Sequence, residues 1–167
     1  MLFSTLEGLK RFKIPHQFEV VSIISLYAQW IREGRLKLDP SWNTEGLKFT
    51  VQDPCKLVRQ SLGDPVAEDL RFVIKQVCGE ENFIEVWPNK SNNYCCGGGG
   101  GAIQAGFTEN RMKHGRMKFE QLHVTGADVV ITPCHNCHTQ IKDICRYYGG
   151  KWQTTHLWNW IVKALVR

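Results

Sequence analysis

The sequence predicts an α/β fold, in which a small parallel sheet is flanked by helices and preceded by a helical extension. From Leu47 onward, short segments rich in β-branched and aromatic residues alternate with longer segments of helical periodicity. That alternation is the pattern of parallel strands joined by crossover helices. The length of 167 residues allows one domain and an extension. With 43% hydrophobic and 22% charged residues, the composition excludes coiled-coil, collagen-like and mostly disordered proteins.

Residues 1–38 are predicted to be helical. A weak stripe of leucines before Pro15 and a stronger apolar stripe over residues 19–32 both follow helical spacing. The second stripe is wide, so we expect other elements to cover it. We therefore divide the chain into a helical extension, residues 1–46, which would be the end of a preceding domain, and a cysteine-rich α/β domain, residues 47–167.

The elements of the α/β part are separated by segments rich in glycine, proline and asparagine. They are predicted to be a strand at 47–53, a helix at 64–78, a strand at 82–87, a loop at 89–101, a helix at 108–123 with Thr108 as its N-cap, a strand at 128–132, a helix from Pro133 to about Gly149, a strand at 152–155 and a tryptophan-rich helix to Val166. In a parallel sheet, ligands bind beyond the carboxyl ends of the strands. Residues that directly follow the strands are therefore candidates for one shared site.

Five of the seven cysteines follow predicted strands. Cys55 follows the first strand, Cys95 and Cys96 follow the second, and Cys134 and Cys137 follow the third at the start of a helix. We expect these five thiols to converge at the carboxyl edge of the sheet. An odd number of clustered cysteines in a chain without a signal peptide favours metal binding or redox chemistry over disulfides. Cys78 and Cys145 lie on apolar helix faces and are predicted to belong to the core.

The spacing of the five cysteines favours an iron–sulfur cluster over a single tetrahedral zinc ion. The Cys-x-x-Cys pair at a helix start lets two thiols face one centre, and the helix dipole stabilises thiolates there. The adjacent side chains of Cys95 and Cys96 diverge, so two metal atoms are easier for them to reach than one. Glycines let backbone amides approach bound sulfide closely, and the candidates here are Gly97, Gly98 and Gly99. Zinc held by four of the five thiols remains the alternative.

Three other interpretations of the motifs explain less of the sequence. The run at 134–138 matches the Cys-x-x-Cys-His signature of haem c attachment, but the chain shows no export signal and three cysteines would be left over. A thioredoxin-type dithiol at the same pair ignores the same three cysteines. The glycine run at 97–101 matches a dinucleotide-binding fingerprint, but five consecutive glycines make that match nearly automatic.

Charged and histidine residues supply further candidates. The net charge of +5 and the lack of a nucleic-acid motif predict no nucleic-acid partner. A basic run on a predicted helix is interpreted as a solvated face, with docking of an acidic redox partner as the alternative. The run comprises Arg111, Lys113, His114, Arg116 and Lys118. His135, His138 and His156 lie near strand ends, and His156 is the candidate proton donor to a departing thiolate.

Three segments of the sequence resemble a known family. They are DPCKLVRQ at 53–60, YCCGGGGG at 94–101 and TPCHNCHTQI at 132–141. These segments are similar to the cysteine-rich CCG domain of the catalytic subunits of heterodisulfide reductases and related iron–sulfur oxidoreductases. Within this family, the three segments look most similar to the sequences of redox-complex subunits of sulfate reducers, notably the K subunit of the Dsr membrane complex. The resemblance covers residues 47–160, and residues 17–38 match the helical segment that precedes this domain.

The resemblance implies a noncubane [4Fe-4S] cluster at which a disulfide is cleaved in single-electron steps. The implied ligands are Cys55, Cys95, Cys96, Cys134 and Cys137. The implied partners are a haem b or quinone-linked subunit of a membrane redox complex and a small sulfur-carrier protein, or another thiol or disulfide substrate. We expect a cytoplasmic protein held at the inner membrane by its partners, because no stretch of about 20 apolar residues is present to span the bilayer.

The sequence departs from the family pattern in two ways. Lys56 stands where many relatives have histidine, and the chain has one complete cysteine motif where relatives usually have two. We therefore expect the C-terminal part of a longer protein, and we expect no turnover by this part alone. The alternative function is a zinc-bound or metal-free module that holds subunits together without catalysis.

Overall fold

The computed structural model describes residues 2–166 and confirms the predicted α/β class. The helices are α1 (Leu2–Arg11), α2 (Ile23–Arg32), α3 (Asp64–Cys78), α4 (Thr108–His123), α5 (His135–Tyr147) and α6 (Leu157–Ala164), and the strands are β1 (Phe49–Val51), β2 (Val129–Ile131) and β3 (Gln153–Thr155). Turns of 3₁₀-helix lie at Pro40–Trp42, Glu80–Asn82 and Lys90–Asn92, and a π-helical turn lies at Val58–Leu62. None of these helices is long and apolar enough to cross a membrane. Residues 1 and 167 lie outside the described residues. They are the first residue of the predicted extension and the last residue of the predicted domain.

The strands form one parallel sheet in the order β1-β2-β3. Phe49 of β1 lies opposite Val129 of β2, and Val129 lies opposite Gln153 of β3. Every residue of β1 and β2 is buried, whereas β3 at the edge is partly exposed. Apolar parallel strands of this kind need cover from helices on their faces. Since the three strands are parallel, their carboxyl ends lie at one edge of the sheet.

The prediction of a strand at 82–87 is wrong. One bridge forms there, between Phe83 and Phe49 of β1. Beyond it, the Val86 N–H donates to the Glu85 carboxylate, 3.1 Å away, instead of extending a ladder. The segment still runs parallel to β1 at this bridge, so the loop that follows it leads towards the same edge of the sheet.

Two helices begin differently from the prediction. Thr108 is the first residue of α4 rather than its N-cap, and the N-cap is Phe107, which makes no side-chain capping hydrogen bond. Helix α2 begins after Ser22, several residues later than expected, because the Ser22 hydroxyl accepts the N–H of Ile24 and caps the helix there. These differences move element ends but leave the order of elements unchanged.

The core joins the helical extension to the sheet. Ile24 and Ala28 of α2 are buried, and α2 packs against α3. Helix α3 also contacts α6, and α4 contacts α5. Cys78 and Cys145 are buried among the apolar residues of this core, as predicted. The apolar stripe of α2 is therefore covered in part by the α/β part of the chain, while Ile23 stays exposed.

Candidate metal centre

Five cysteines from three segments of the chain meet at the carboxyl edge of the sheet. Cys55 lies in the turn after β1, and Cys95 and Cys96 lie in the long loop before α4. Cys134 follows β2 as the N-cap of α5, and Cys137 lies in the first turn of that helix. We call this group of five thiols the cysteine site. Cys78 and Cys145 remain in the core and do not belong to it.

Each thiol of the cysteine site contacts the next. The Sγ atoms of Cys96 and Cys137 are 3.4 Å apart. The thiols of Cys55 and Cys95, of Cys95 and Cys96, and of Cys134 and Cys137 also lie close enough to shift each other's pKa. The contacts therefore run in one series through Cys55, Cys95, Cys96, Cys137 and Cys134. Within residues 2–166, no three side chains of His, Cys, Asp or Glu form a ready-made site for a metal ion.

The start of α5 stabilises a thiolate at Cys134. The Cys137 thiol hydrogen-bonds to its sulfur, and the backbone N–H groups of Cys137 and Asn136 also point at it, so the pKa of Cys134 falls to about 6. The nearby charge of His135 acts in the same direction. Hydrogen bonds to Cys134 and Cys96 instead raise the pKa of the Cys137 thiol, and burial raises it further.

Cys95 is the second thiolate of the site. Hydrogen bonds from the Cys55 thiol and, over 3.4 Å, from the Gly97 N–H lower the pKa of Cys95 far below its ordinary value. His114 adds a further hydrogen bond to the same sulfur. The hydrogen bond with Cys95 raises the pKa of Cys55, which is also partly buried. The thiolates at Cys95 and Cys134 are thus separated by the protonated thiols of Cys96 and Cys137, since neighbouring sulfurs do not ionise together at low cost.

Two of the three candidate glycines hold the loop against the thiols. The N–H groups of Gly97 and Gly98 hydrogen-bond to the sulfurs of the two adjacent cysteines. A Cβ at Gly98 would lie 2.7 Å from the Cβ of Gln140 and 2.9 Å from the carbonyl oxygen of Asn136, so glycine is needed for the loop to lie against α5. A Cβ at Gly99 would meet nothing within 4 Å, and close packing does not require glycine there.

His156 lies directly after β3, at the same edge of the sheet, inside a stack of rings. Its ring centroid is 4.3 Å from that of His138, 4.3 Å from that of Trp158 and 6.1 Å from that of His135. Its Nδ1 atom is 3.0 Å from the carbonyl oxygen of Thr132. Because a carbonyl only accepts, Nδ1 carries the hydrogen, and Nε2 is the ring atom that can exchange a proton.

The basic run on α4 is not a uniform solvated face. Lys113 and Arg116 are exposed and pair with glutamates one turn away, as predicted. The prediction is wrong for Lys118, which is completely buried, and for Arg111, whose side chain is 11% exposed and binds Asp143 over 2.7 Å. Lys118 falls within the buried stripe of α4, and that position was the signal in the sequence that pointed to burial.

An open cleft of about 460 Å³ lies beside Cys95. Its lining includes Cys95, Gly97, Phe107, Arg111 and His114. Phe107 is largely exposed on one wall, and the Nε of Arg111 is buried without a hydrogen-bond partner. The cleft therefore offers apolar surface and polar groups next to one thiolate of the cysteine site.

The fold and the donor set together define a class of protein, namely an α/β domain that brings five thiols together at the carboxyl edge of its sheet. Thiolates are the ligands that iron–sulfur clusters use, and backbone N–H groups already hydrogen-bond to the thiols here, so the residues fit such a group. A family model for the cysteine-rich CCG domain matches residues 49–142, which is more than half of the chain and includes all five cysteines. The chain belongs to this family of cysteine-rich domains. A comparison with curated proteins finds no match.

Proposed function

We propose that this chain is the C-terminal iron–sulfur domain of a heterodisulfide-reductase-like oxidoreductase that passes electrons to a disulfide. The observation that carries the proposal is the single series of contacts among thiols from three separate segments at the carboxyl edge of the sheet. The family match supports it, since CCG domains are typical of heterodisulfide-reductase-like iron–sulfur proteins.

The five thiols of the cysteine site are the proposed ligands of a [4Fe-4S] cluster, in the noncubane form that the resemblance implies. When bound, such a cluster supplies one-electron transfer at potentials set by its surroundings. The N–H groups of Gly97 and Gly98 would remain directed at the sulfurs of Cys95 and Cys96. The helix start at Cys134 favours negative charge on that ligand.

The cleft beside Cys95 is the proposed entrance for the substrate. Its volume of about 460 Å³ accommodates the thiol-bearing end of a larger molecule, and it opens directly at a thiolate of the cysteine site. Phe107 offers apolar surface, and Arg111 also lines the cleft, with the charge of its guanidinium paired to Asp143. These features suit a substrate segment of low charge that ends in a sulfur atom.

His156 is the proposed proton donor. Reduction of a disulfide to two thiols consumes two electrons and two protons, so each thiolate that leaves must acquire a proton. The Thr132 carbonyl fixes the hydrogen on Nδ1 of His156, which leaves Nε2 to deliver a proton when the ring is charged. His156→Gln should slow disulfide reduction by about 10²-fold and leave the iron content unchanged. His123→Gln, which changes an exposed histidine of α4 that stacks on Phe119, is the control.

As part of the proposal, electrons come from a haem b or quinone-linked subunit of a membrane complex like the Dsr complex, at the cytoplasmic face of the inner membrane. The disulfide would be carried by a small sulfur-carrier protein. The support for these partners is the sequence of the cysteine motifs, which resembles the corresponding sequences in redox-complex subunits of sulfate reducers.

Electron paramagnetic resonance tests the function on chain loaded with iron and sulfide without oxygen. We expect a paramagnetic state when an oxidant is added with a thiol such as dithiothreitol, and no such state with oxidant alone. An identical signal with and without thiol would contradict disulfide chemistry and favour a simple electron relay. One bound zinc ion without sulfide would instead support a structural module that holds subunits together.

A further inference from the structure

Lys118 is a completely buried lysine in the middle of α4. Its Nζ donates to the side-chain oxygens of Asn93 and Gln121. Gln121 in turn donates to the carbonyl of Pro88, and Asn93 donates to the carbonyl of Asp53 over 2.9 Å. The lysine is therefore held at a fixed place by neutral groups, beneath the loop that carries Cys95 and Cys96.

Hydrogen bonds satisfy the ammonium of Lys118, but no carboxylate neutralises it. Among residues 2–166, Lys118 forms no salt bridge. The nearest carboxylate, that of Asp53, is bound on both oxygens by Arg71 at 2.9 Å. A buried charge without a paired charge is costly, and an apolar residue would fill the same space in the core. Packing alone therefore does not account for a lysine here.

The groups whose charge acts on Lys118 include three thiols of the cysteine site. Burial lowers the pKa of Lys118 to about 7, while negative charge on Asp53, Cys96, Cys137 and Cys95 acts in the opposite direction. Two arginines near the site are already paired, since Arg71 binds Asp53 and Glu85, and Arg111 binds Asp143. Apart from Asp53, which Arg71 already binds, the negative charge that acts on Lys118 is that of Cys96, Cys137 and Cys95.

We propose that Lys118 is the buried counter-cation of the centre that the cysteine site holds, and that it raises the reduction potential of that centre. This inference rests on the proposed iron–sulfur centre. Reduction adds one negative charge to a thiolate-bound centre, and an ammonium in the low-dielectric core stabilises that added charge. No covalent bond forms or breaks in this step. Lys118 acts on the centre through its charge and touches neither substrate nor reacting atoms, so it is a tuning residue rather than a catalytic one.

The test is a redox titration of the full chain, loaded with iron and sulfide without oxygen and followed by electron paramagnetic resonance. Lys118→Met removes the charge and nearly keeps the volume, and we expect a lower midpoint potential at unchanged iron content per chain. Lys118→Arg keeps the charge, and we expect its potential to return towards that of the wild type. If Lys118→Met does not fold, Lys118→Gln takes its place, because it keeps hydrogen bonding and removes the charge.

Gln121→Met is the matched control. It deletes one hydrogen-bond acceptor of Lys118 and keeps the ammonium, so we expect lower stability to urea and a midpoint potential near that of the wild type. A wild-type potential in the uncharged variant, or an equal shift in Gln121→Met, would overturn the inference. A wild-type chain that binds no iron and sulfide would overturn the inference and the proposed function together. A shifted potential in a loaded chain that shows no thiol-dependent signal would overturn the function and support the inference.

Discussion

Protons are shared unevenly among the thiols of the cysteine site, and this sharing determines how each residue reacts. Cys55 and Cys134 are both partly exposed, but hydrogen bonding lowers the pKa of Cys134 to about 6 and raises the pKa of Cys55. The thiolate is the nucleophilic form of cysteine. In metal-free protein at neutral pH, we expect iodoacetamide to modify Cys134 well before Cys55, as measured by peptide mass spectrometry.

The pH dependence of this reaction follows from the sign of the shift. Because the pKa of Cys134 is lowered, its thiolate is present above about pH 6 and is lost below it. Modification of Cys134 should therefore slow as the pH falls through this value. In denaturant the two cysteines should react at similar rates, which serves as the control. Similar rates in the folded protein would contradict the proposed sharing of protons.

At the scale of elements, one arginine of α3 fixes the loops that bring thiols to the edge of the sheet. Arg71 binds both oxygens of Asp53 at 2.9 Å and both oxygens of Glu85 at 2.7 Å. Asp53 lies between β1 and Cys55, and it also accepts the N–H of Lys90 over 2.7 Å. The pair of Arg71 and Asp53 therefore anchors the turn after β1 and the segment that leads to Cys95 and Cys96.

We expect Arg71→Met to lower the free energy of unfolding by about 3–5 kcal/mol, because it leaves the buried carboxylate of Asp53 without its partner. Urea unfolding followed by circular dichroism measures the loss. Arg32→Met is the matched control, since the side chain of Arg32 is half exposed in its ion pair with Asp69, and exposed pairs contribute little. Equal losses in the two variants would contradict an anchoring role for Arg71.

The close approach between the glycine loop and α5 gives a second prediction for elements. Gly98→Ala places a methyl group 2.7 Å from the Cβ of Gln140, so the loop must move away from α5 and take Cys96 with it. We expect a loss of about 1–3 kcal/mol in stability and a lower iron content after loading. Gly99→Ala, where a Cβ meets nothing within 4 Å, should leave both unchanged. Equal effects of the two substitutions would contradict the packing described for this loop.

Elements with a strong local signal could be predicted from the sequence, and those that depend on distant partners could not. The apolar run at 128–132 and the proline before α5 place β2 and α5 correctly. The run at 82–87 has the composition of a strand, but Arg71 draws the Glu85 carboxylate inward, and that carboxylate also takes the Val86 N–H. The partner that holds Glu85, Arg71, belongs to helix α3, and no pattern within 82–87 reveals it.

The same distinction applies to the site. The grouping of the cysteines follows from their places after parallel strands, and it needed only the order of elements. The buried lysine was missed because its charge suggested a solvated surface, although its place in the buried stripe of α4 pointed to burial. The ligand roles of the thiols and the proton-donor role of His156 stay predictions.

In the whole molecule, the sheet, the helical extension and the loops together place the thiols of the cysteine site. Helix α2 covers α3, α3 supplies Arg71, and the anchored loops meet the start of α5 at the carboxyl edge of the sheet. Three separate segments contribute thiols, and α4 supplies a buried cation behind them. We propose that this arrangement holds an iron–sulfur centre through all three segments.

The most direct test of that claim is the iron, acid-labile sulfide and zinc content of the full chain after loading without oxygen. We predict about four irons and four sulfides per chain, lost in Cys95→Ser and Cys96→Ser and kept in Cys145→Ser, which changes a cysteine outside the cysteine site. One zinc ion without sulfide, or equal iron content in all three variants, would contradict an iron–sulfur centre held by the cysteine site.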